Sequence, residues 1–126
     1  MIFDLNSFDS DQTVTGGICI TGAGPAGITL ALELAAKGVD VVLLESGGKG
    51  FDAETQSLYD GAVVGDLNTD VSSSRLREFG GTSQHWTGLC APLQAIDFEA
   101  RPGVPHSGWP ITREDLDTYY ATAQPY

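Results

Sequence analysis

A strand, a glycine loop, a helix and a second strand follow one another between Gly16 and Gly48, and that succession constrains the fold more than anything else in the chain. Ile18-Cys19-Ile20-Thr21 is a short apolar run that leads at once into Gly22-Ala23-Gly24-Pro25-Ala26-Gly27, a G-x-G-x-x-G loop. Each glycine has its own task. Gly22 permits the tight turn out of the strand, Gly24 admits a pyrophosphate where a Cβ would collide with it, and Gly27 lets the following helix lie close to the sheet. Pro25 suits the first helical turn, Ile28 to Lys37 carries no interior breaker, and Gly38 stands where a left-handed C-terminal residue is expected. Val39 to Leu44 reads as the second strand, its last four residues continuously apolar as in a parallel strand covered on both faces. Glu45 follows Gly22 by 23 positions, near the spacing of about 20 at which an acid accepts hydrogen bonds from a ribose. The N–H groups of the first turn, at Gly24 to Gly27, would hold the phosphates through backbone and helix dipole without a basic side chain. A bare glycine motif means little in a chain with 16 glycines among 126 residues. Strand, loop, helix, strand and acid in the right order outweigh a glycine-rich turn before a core helix. The fold class expected is α/β, built on a Rossmann-like dinucleotide-binding βαβ unit.

Composition excludes other classes. Six Lys and Arg against 17 Asp and Glu give a net charge of −11, so nucleic acid and anionic membrane would be repelled over most of the surface. At 41% hydrophobic residues the chain is not disordered throughout, and its length allows one domain at most. Cys19, placed in a buried strand, and Cys90 read as free thiols. Met1 to Thr15 carries Asp4, Asp9 and Asp11 with no basic start or signal-length apolar run, and no later stretch approaches about 20 apolar residues. A cytoplasmic protein is the expectation. No Ser/His/Asp triad, Cys/His metal spacing or internal repeat supports a hydrolase or a metalloenzyme.

The run from Gly16 to Gly48 resembles the N-terminal FAD-binding segment of flavoprotein oxidoreductases, in which Glu45, followed by Ser46, would hold the adenosine ribose. Farther on, Arg75-Leu76-Arg77-Glu78-Phe79-Gly80-Gly81-Thr82-Ser83-Gln84-His85-Trp86-Thr87-Gly88, with Pro92 and then Asp97-Phe98, resembles the second flavin-contacting segment of the glucose-methanol-choline (GMC) oxidoreductase superfamily. Its G-G-x-S-x-H-W-T spacing is similar to that of pyranose oxidases and related sugar or glycoside dehydrogenases. It departs from the alcohol-oxidase version, which places an Asn or His one residue later. The resemblance implies an enzyme with FAD as cofactor, contacted by Gly22, Gly24, Pro25, Ala26, Gly27, Glu45, Ser46, Gly80, Gly81, Thr82, Ser83, His85, Trp86 and Thr87. It implies a flavin either bonded covalently through the His85 imidazole or held without a covalent bond beside it, with the Thr87 hydroxyl near flavin N5 and O4. The activity implied is oxidation of a secondary alcohol of a sugar or glycoside by hydride transfer to N5. Two other readings stand beside it. An NAD-binding dehydrogenase domain would share Gly22 to Glu45 but leave Gly80 to Thr87 without a role, and a non-catalytic nucleotide-binding module would assemble with another chain.

A doubly wound sheet needs at least a third parallel strand, and only two are evident. In the resembled family the remaining strands, the substrate-binding sheet and the catalytic base come later in a much longer chain, so no catalytic residue is assigned here. The expectation is a partial FAD-binding domain, from a fragment or one piece of a split enzyme, whose partners are the rest of that enzyme or a second subunit and a sugar or glycoside. Its organisation reads as an arm at 1–15, the βαβ unit at 16–48, a surface excursion at 49–74, a flavin-contacting segment at 75–98, and a Pro-rich loop with a terminal helix at 99–126. The excursion is acidic, with Asp52, Glu54, Asp60, Asp66 and Asp70, and Gly61 to Gly65 suggests a short extended piece. Thr112 followed by Asp115 marks the start of a last helix through Ala123. Arg75 and Arg77 read either as flavin-pyrophosphate contacts or as solvated ion pairs. Trp109 reads as an anchor of the Pro-rich loop, His106 as a loop residue, and Tyr119 and Tyr120 as packing.

Overall fold

Ile18–Thr21 forms strand β1 and Val41–Leu44 strand β2, paired in parallel with Ile18 opposite Val41 and Thr21 opposite Leu44. This computed structural model describes residues 1–9, 11–65 and 70–125. Asp66 of the acidic excursion and the terminal Tyr126 lie outside the described residues. A parallel pair cannot be joined by a tight turn, and the crossover is helix α1, Pro25–Ala36, with Gly24 at its N-cap and Pro25 at its first position. Gly38 follows at a left-handed φ of 78°. Strand β2 begins two residues later than expected because Val39 still belongs to the helix end: its N–H donates to the Leu34 carbonyl at 3.1 Å. Asp40 then offers its carbonyl to the Ile18 N–H, also at 3.1 Å, and the ladder starts.

The two-stranded sheet is less covered than the apolar run suggested. Helix α1 packs against both strands and buries Ile20. Side chains alternate across a strand, so Cys19 faces the opposite way, and it is exposed rather than buried. Val41, Val42 and Leu43 are half-buried and Leu44 is exposed. One helix on one face gives one-sided burial, whatever the composition of the strand.

The excursion after β2 contains two short helices that its polarity concealed. Helix α2, Ala53–Ser57, and helix α3, Val71–Ser74, each start at an aspartate whose carboxylate accepts a backbone N–H, Asp52 from Thr55 and Asp70 from Ser72. Two of the acids read as surface charge are therefore helix caps. Gly61 to Gly65 forms no strand, and Val64 stands in solvent. Helix α2 delivers Gln56, a buried amide whose Nε2 donates to the carbonyls of Ser72 (2.7 Å) and Arg75 (2.6 Å) while its Oε1 accepts the Arg77 N–H (3.0 Å). One side chain thereby fixes the path of residues 72 to 77.

The Asp52 cap makes this clamp sensitive to acid. The hydrogen bonds from the Thr55 backbone and side chain hold the Asp52 carboxyl below its ordinary pKa. Its folded pKa is depressed, so the cap's contribution is complete above the unfolded value and is lost as pH falls through the folded one. Acidification to the bottom of the carboxylate range is expected to lower the protection of the Thr55 and Gln56 amides relative to their intrinsic exchange rates at the same pH. Asp52→Asn, which keeps an acceptor that does not titrate, should remove that dependence; the same acid profile in both proteins would show that Asp52 is not the titrating cap.

Trp86 ends one compact unit and Thr87 begins a second, which runs to the end of the chain. In the second unit, helix α4, Ala95–Phe98, opens with a capping box in which the Asp97 side chain accepts the Gln94 N–H at 2.8 Å. Phe98 is buried, and Trp109 docks beside it with ring centroids 6.4 Å apart and its backbone N–H on the Phe98 carbonyl at 3.1 Å. Trp109 anchors the Pro-rich loop, and His106 lies within that loop at a left-handed φ of 59°. Thr112 and Asp115 cap each other reciprocally and lead through a 3-10 turn at Glu114–Leu116 into helix α5, Asp117–Ala123. Tyr120 packs under the Arg113 guanidinium and its hydroxyl accepts the Leu93 N–H at 3.0 Å. Tyr119 is 70% exposed and packs no core, because residues adjacent in a helix point in different directions. Among the described residues no helix is long and apolar enough to cross a membrane.

Candidate functional site

Glu45 stands at the end of β2 and is tied to the glycine loop by the fold. Its Oε2 accepts the Ala23 N–H at 2.7 Å and its Oε1 accepts the Gly47 N–H at 2.9 Å. The Gly22 N–H donates to the Leu44 carbonyl at 2.7 Å, carrying the parallel ladder one step past the strands. A carboxylate has about four lone-pair positions, so two backbone donors orient Glu45 and leave places for hydroxyl donors. Gly22 turns the chain at φ 96°, a conformation that a side chain would strain.

Gly24 and Gly27 need to be glycine for different reasons. A Cβ at Gly27 would fall inside the Gly22 carbonyl oxygen and 3.1 Å from the Gly22 carbonyl carbon, so the helix sits against the loop only because that atom is missing. Gly24 has an ordinary extended φ of −79°, and a Cβ there would meet nothing within 4 Å. Neither backbone conformation nor packing accounts for it, which leaves room for something outside the protein. Ile28 is the first helical residue whose N–H is satisfied, by the Gly24 carbonyl at 2.9 Å. The N–H groups of Ala26 and Gly27 find no acceptor among the described residues, and Pro25 has none to offer. The loop thus presents free donors at the positive end of a helix beside a fixed carboxylate.

Residues 77 to 81 lie across this end of the sheet as a strap. The Phe79 N–H donates to the Gly48 carbonyl and the Gly80 N–H to the Ala23 carbonyl, each at 2.8 Å. A Cβ at Gly81 would lie 3.3 Å from the Gly24 Cα, and one at Gly47 would lie 2.5 Å from the Glu78 Cα. The paired left-handed residues Gly80 and Gly81 (φ 93° and 62°) then turn the chain into a 3-10 helix, Gly81–His85. Within it the Ser83 hydroxyl donates to the Gly80 carbonyl at 2.6 Å, and the Thr82 hydroxyl accepts the Leu76 N–H at 3.1 Å, keeping its own proton free to donate. His85 and Trp86 are exposed at the end of this helix, and Thr87 opens the second unit.

The structure therefore brings Gly80 and Gly81 onto the loop that carries Gly22, Gly24, Pro25, Ala26 and Gly27, beside Glu45 and Ser46. Two residues of this arrangement, Ala23 and Gly47, were not singled out from sequence for a part in it. Ala23, fully buried, uses both its N–H and its carbonyl to join Glu45 to the strap. Gly47 permits the strap's close approach. Arg77, read either as a flavin-pyrophosphate contact or as a solvated ion pair, forms no ion pair among the described residues: its Nη1 donates to the Ser46 hydroxyl at 2.9 Å and its guanidinium lies 4.2 Å over the Tyr59 ring. The only signal for Gly47 was its place in the Gly47-Gly48 pair directly after Glu45-Ser46, and Ala23 carried none beyond its motif position.

The family model of FAD dependent oxidoreductases matches residues 17–125. The chain belongs to that family. It is similar to a flavin-dependent monooxygenase of Mycobacteroides abscessus, 28% identical over 102 residues that cover 73% of this chain and 22% of that protein. It is also similar to the gamma-glutamylputrescine oxidoreductase of Escherichia coli, 35% identical over 65 residues that cover 51% of this chain and 15% of that protein. The chain thus spans less than a quarter of the length of these curated relatives. No solved structure matches it. FAD is the cofactor of this oxidoreductase domain, and the residues present fit it: free N–H donors at Ala26 and Gly27, no Cβ in the space at Gly24, and spare acceptor positions on Glu45.

Proposed function

We propose that this chain is the FAD-binding part of a GMC-type oxidoreductase of the sugar-oxidising branch, removing a hydride from a secondary alcohol of a sugar or glycoside. The observation that supports it is the segment Gly80 to Thr87, whose G-G-x-S-x-H-W-T spacing resembles that branch and whose first residues rest on the dinucleotide loop. FAD, when bound, supplies the hydride acceptor. Glu45 holds the adenosine ribose, and the N–H groups of Gly24, Ala26 and Gly27 hold the pyrophosphate. Gly80, Gly81, Thr82, Ser83 and Trp86 border the flavin, and the Thr87 hydroxyl adjusts the polarity beside its reactive nitrogen without titrating. The base that takes the hydroxyl proton, and the substrate pocket, come from the rest of the enzyme or from a second subunit. The net charge of −11 favours a small polar substrate over nucleic acid or anionic membrane.

A second reading has its own support: the gamma-glutamylputrescine oxidoreductase relative favours an amine in place of the alcohol, since hydride removal from carbon next to nitrogen needs the same cofactor geometry. Anaerobic mixing of the intact flavoprotein with pyranoses and glycosides on one side and alkylamines on the other separates the two. Bleaching of the oxidised flavin band by the sugars is expected, and bleaching by the amines alone would overturn the sugar assignment. The pyranose-oxidase resemblance also carries a covalent bond between His85 and the flavin. Acid precipitation of the intact protein is then expected to keep yellow colour in the pellet, with a flavin-sized mass on the peptide containing His85. Flavin wholly in the supernatant would limit His85 to a position beside the ring.

A further inference from the structure

We propose that Arg77 and Tyr59 form the adenine-side wall of the FAD site, the Arg77 guanidinium contacting the adenosine half of the cofactor. This rests on the assignment of Glu45 to the adenosine ribose. In a chain with 17 acids and six Lys and Arg, an arginine near the surface ordinarily settles on a carboxylate. Arg77 does not, and forms no ion pair among the described residues. It is half-buried, with one face of the guanidinium over the Tyr59 ring, one nitrogen on Ser46, and its Nε buried without a hydrogen-bond partner.

Three features place that group at the adenosine end. Ser46 adjoins Glu45 in sequence, and its hydroxyl also lies 3.4 Å from the Glu45 Oε1, so Arg77 is one hydroxyl away from the ribose-holding carboxylate. The Arg77 backbone is held from two sides, its N–H by Gln56 and its carbonyl against Gly47. Tyr59, just beyond α2, supports the guanidinium plane. An arginine fixed in this way is preorganised, and its planar cation both stacks on π systems and donates to ring nitrogens. A purine satisfies both. Lysine in its place would keep the charge and lose the plane.

The test is calorimetric titration of the intact apoprotein, made in riboflavin-starved cells, with ADP, which carries the adenosine half of the cofactor without the flavin. Arg77→Lys and Arg77→Gln are expected to weaken ADP binding about tenfold, and Tyr59→Leu about threefold, with far-UV circular dichroism unchanged. Wild-type ADP affinity in folded Arg77 variants, or ADP binding lost only together with the circular dichroism spectrum, would overturn the proposal. Glu45→Ala separates it from the reading beneath. If Glu45→Ala weakens ADP and the Arg77 variants do not, Arg77 alone is misassigned; if Glu45→Ala also binds ADP normally, the adenosine site lies elsewhere.

Discussion

Gly27→Ala is expected to destabilise the βαβ unit by about 3 kcal/mol, at the top of the usual cost of overpacking, and to abolish FAD binding. Two effects compete. Alanine is the better helix former by about 1 kcal/mol, so propensity alone would make the substitution stabilising. The new methyl, however, would fall inside the Gly22 carbonyl oxygen and 3.1 Å from its carbon, with the Ile20 side chain at 3.6 Å behind it. Backbone gives way less readily than a side chain, and this backbone is held by the Gly22 N–H on Leu44 and by the Gly24 carbonyl under Ile28. Helix α1 must therefore lift from β1, uncovering Ile20, one of the few buried apolar side chains. In a domain of about 100 residues, 3 kcal/mol corresponds to a fall in Tm of roughly 12–24 °C. A Gly27→Ala protein that melts at or above the wild-type temperature would show that propensity prevails and that the helix is not seated on the loop.

That unit was legible because everything in it is local. β1, the glycine loop, α1 and Glu45 fall where strand patterning, Pro25 and Gly38 put them, each signal lying within a few residues of the element it specifies. What reads poorly depends on which face of an element is covered. Cys19 sits in an apolar strand yet is exposed, because cover is supplied by a neighbour and not by the strand. Gln56 illustrates the opposite failure: a polar residue in a polar stretch is buried because three backbone groups of residues 72 to 77 converge on its amide. Asp52 and Asp70 announced charge, whereas their role is to start helices too short to show any periodicity. In the candidate site the residue types of Gly80 and Gly81 were evident and their location was not. Their contact with Ala23 closes a loop of more than 50 residues, and nothing in local patterning encodes a pairing at that distance.

Gly47→Ala is expected to separate the strap from the dinucleotide unit while leaving that unit folded. Here too the obstructing atoms are backbone: a Cβ would fall inside the Arg77 carbonyl group and 2.5 Å from the Glu78 Cα. The consequence differs from that at Gly27 because β1, α1 and β2 pair and pack without the strap. What is lost is the docking of Phe79 on Gly48 and of Gly80 on Ala23, and with it the seat of Arg77 over Tyr59. Two backbone hydrogen bonds at about 1 kcal/mol each set the scale, so FAD affinity should fall roughly 30-fold. Amide exchange should accelerate at Phe79 and Gly80 and stay slow in β2. Gly48→Ala is the internal control: a Cβ there meets only the Gly50 carbonyl oxygen at 3.9 Å, and flavin affinity and exchange should be unchanged. Equal losses at the two positions would mean that the glycine pair matters for chain flexibility, and that the strap is not held against β2 by the missing side chain of Gly47.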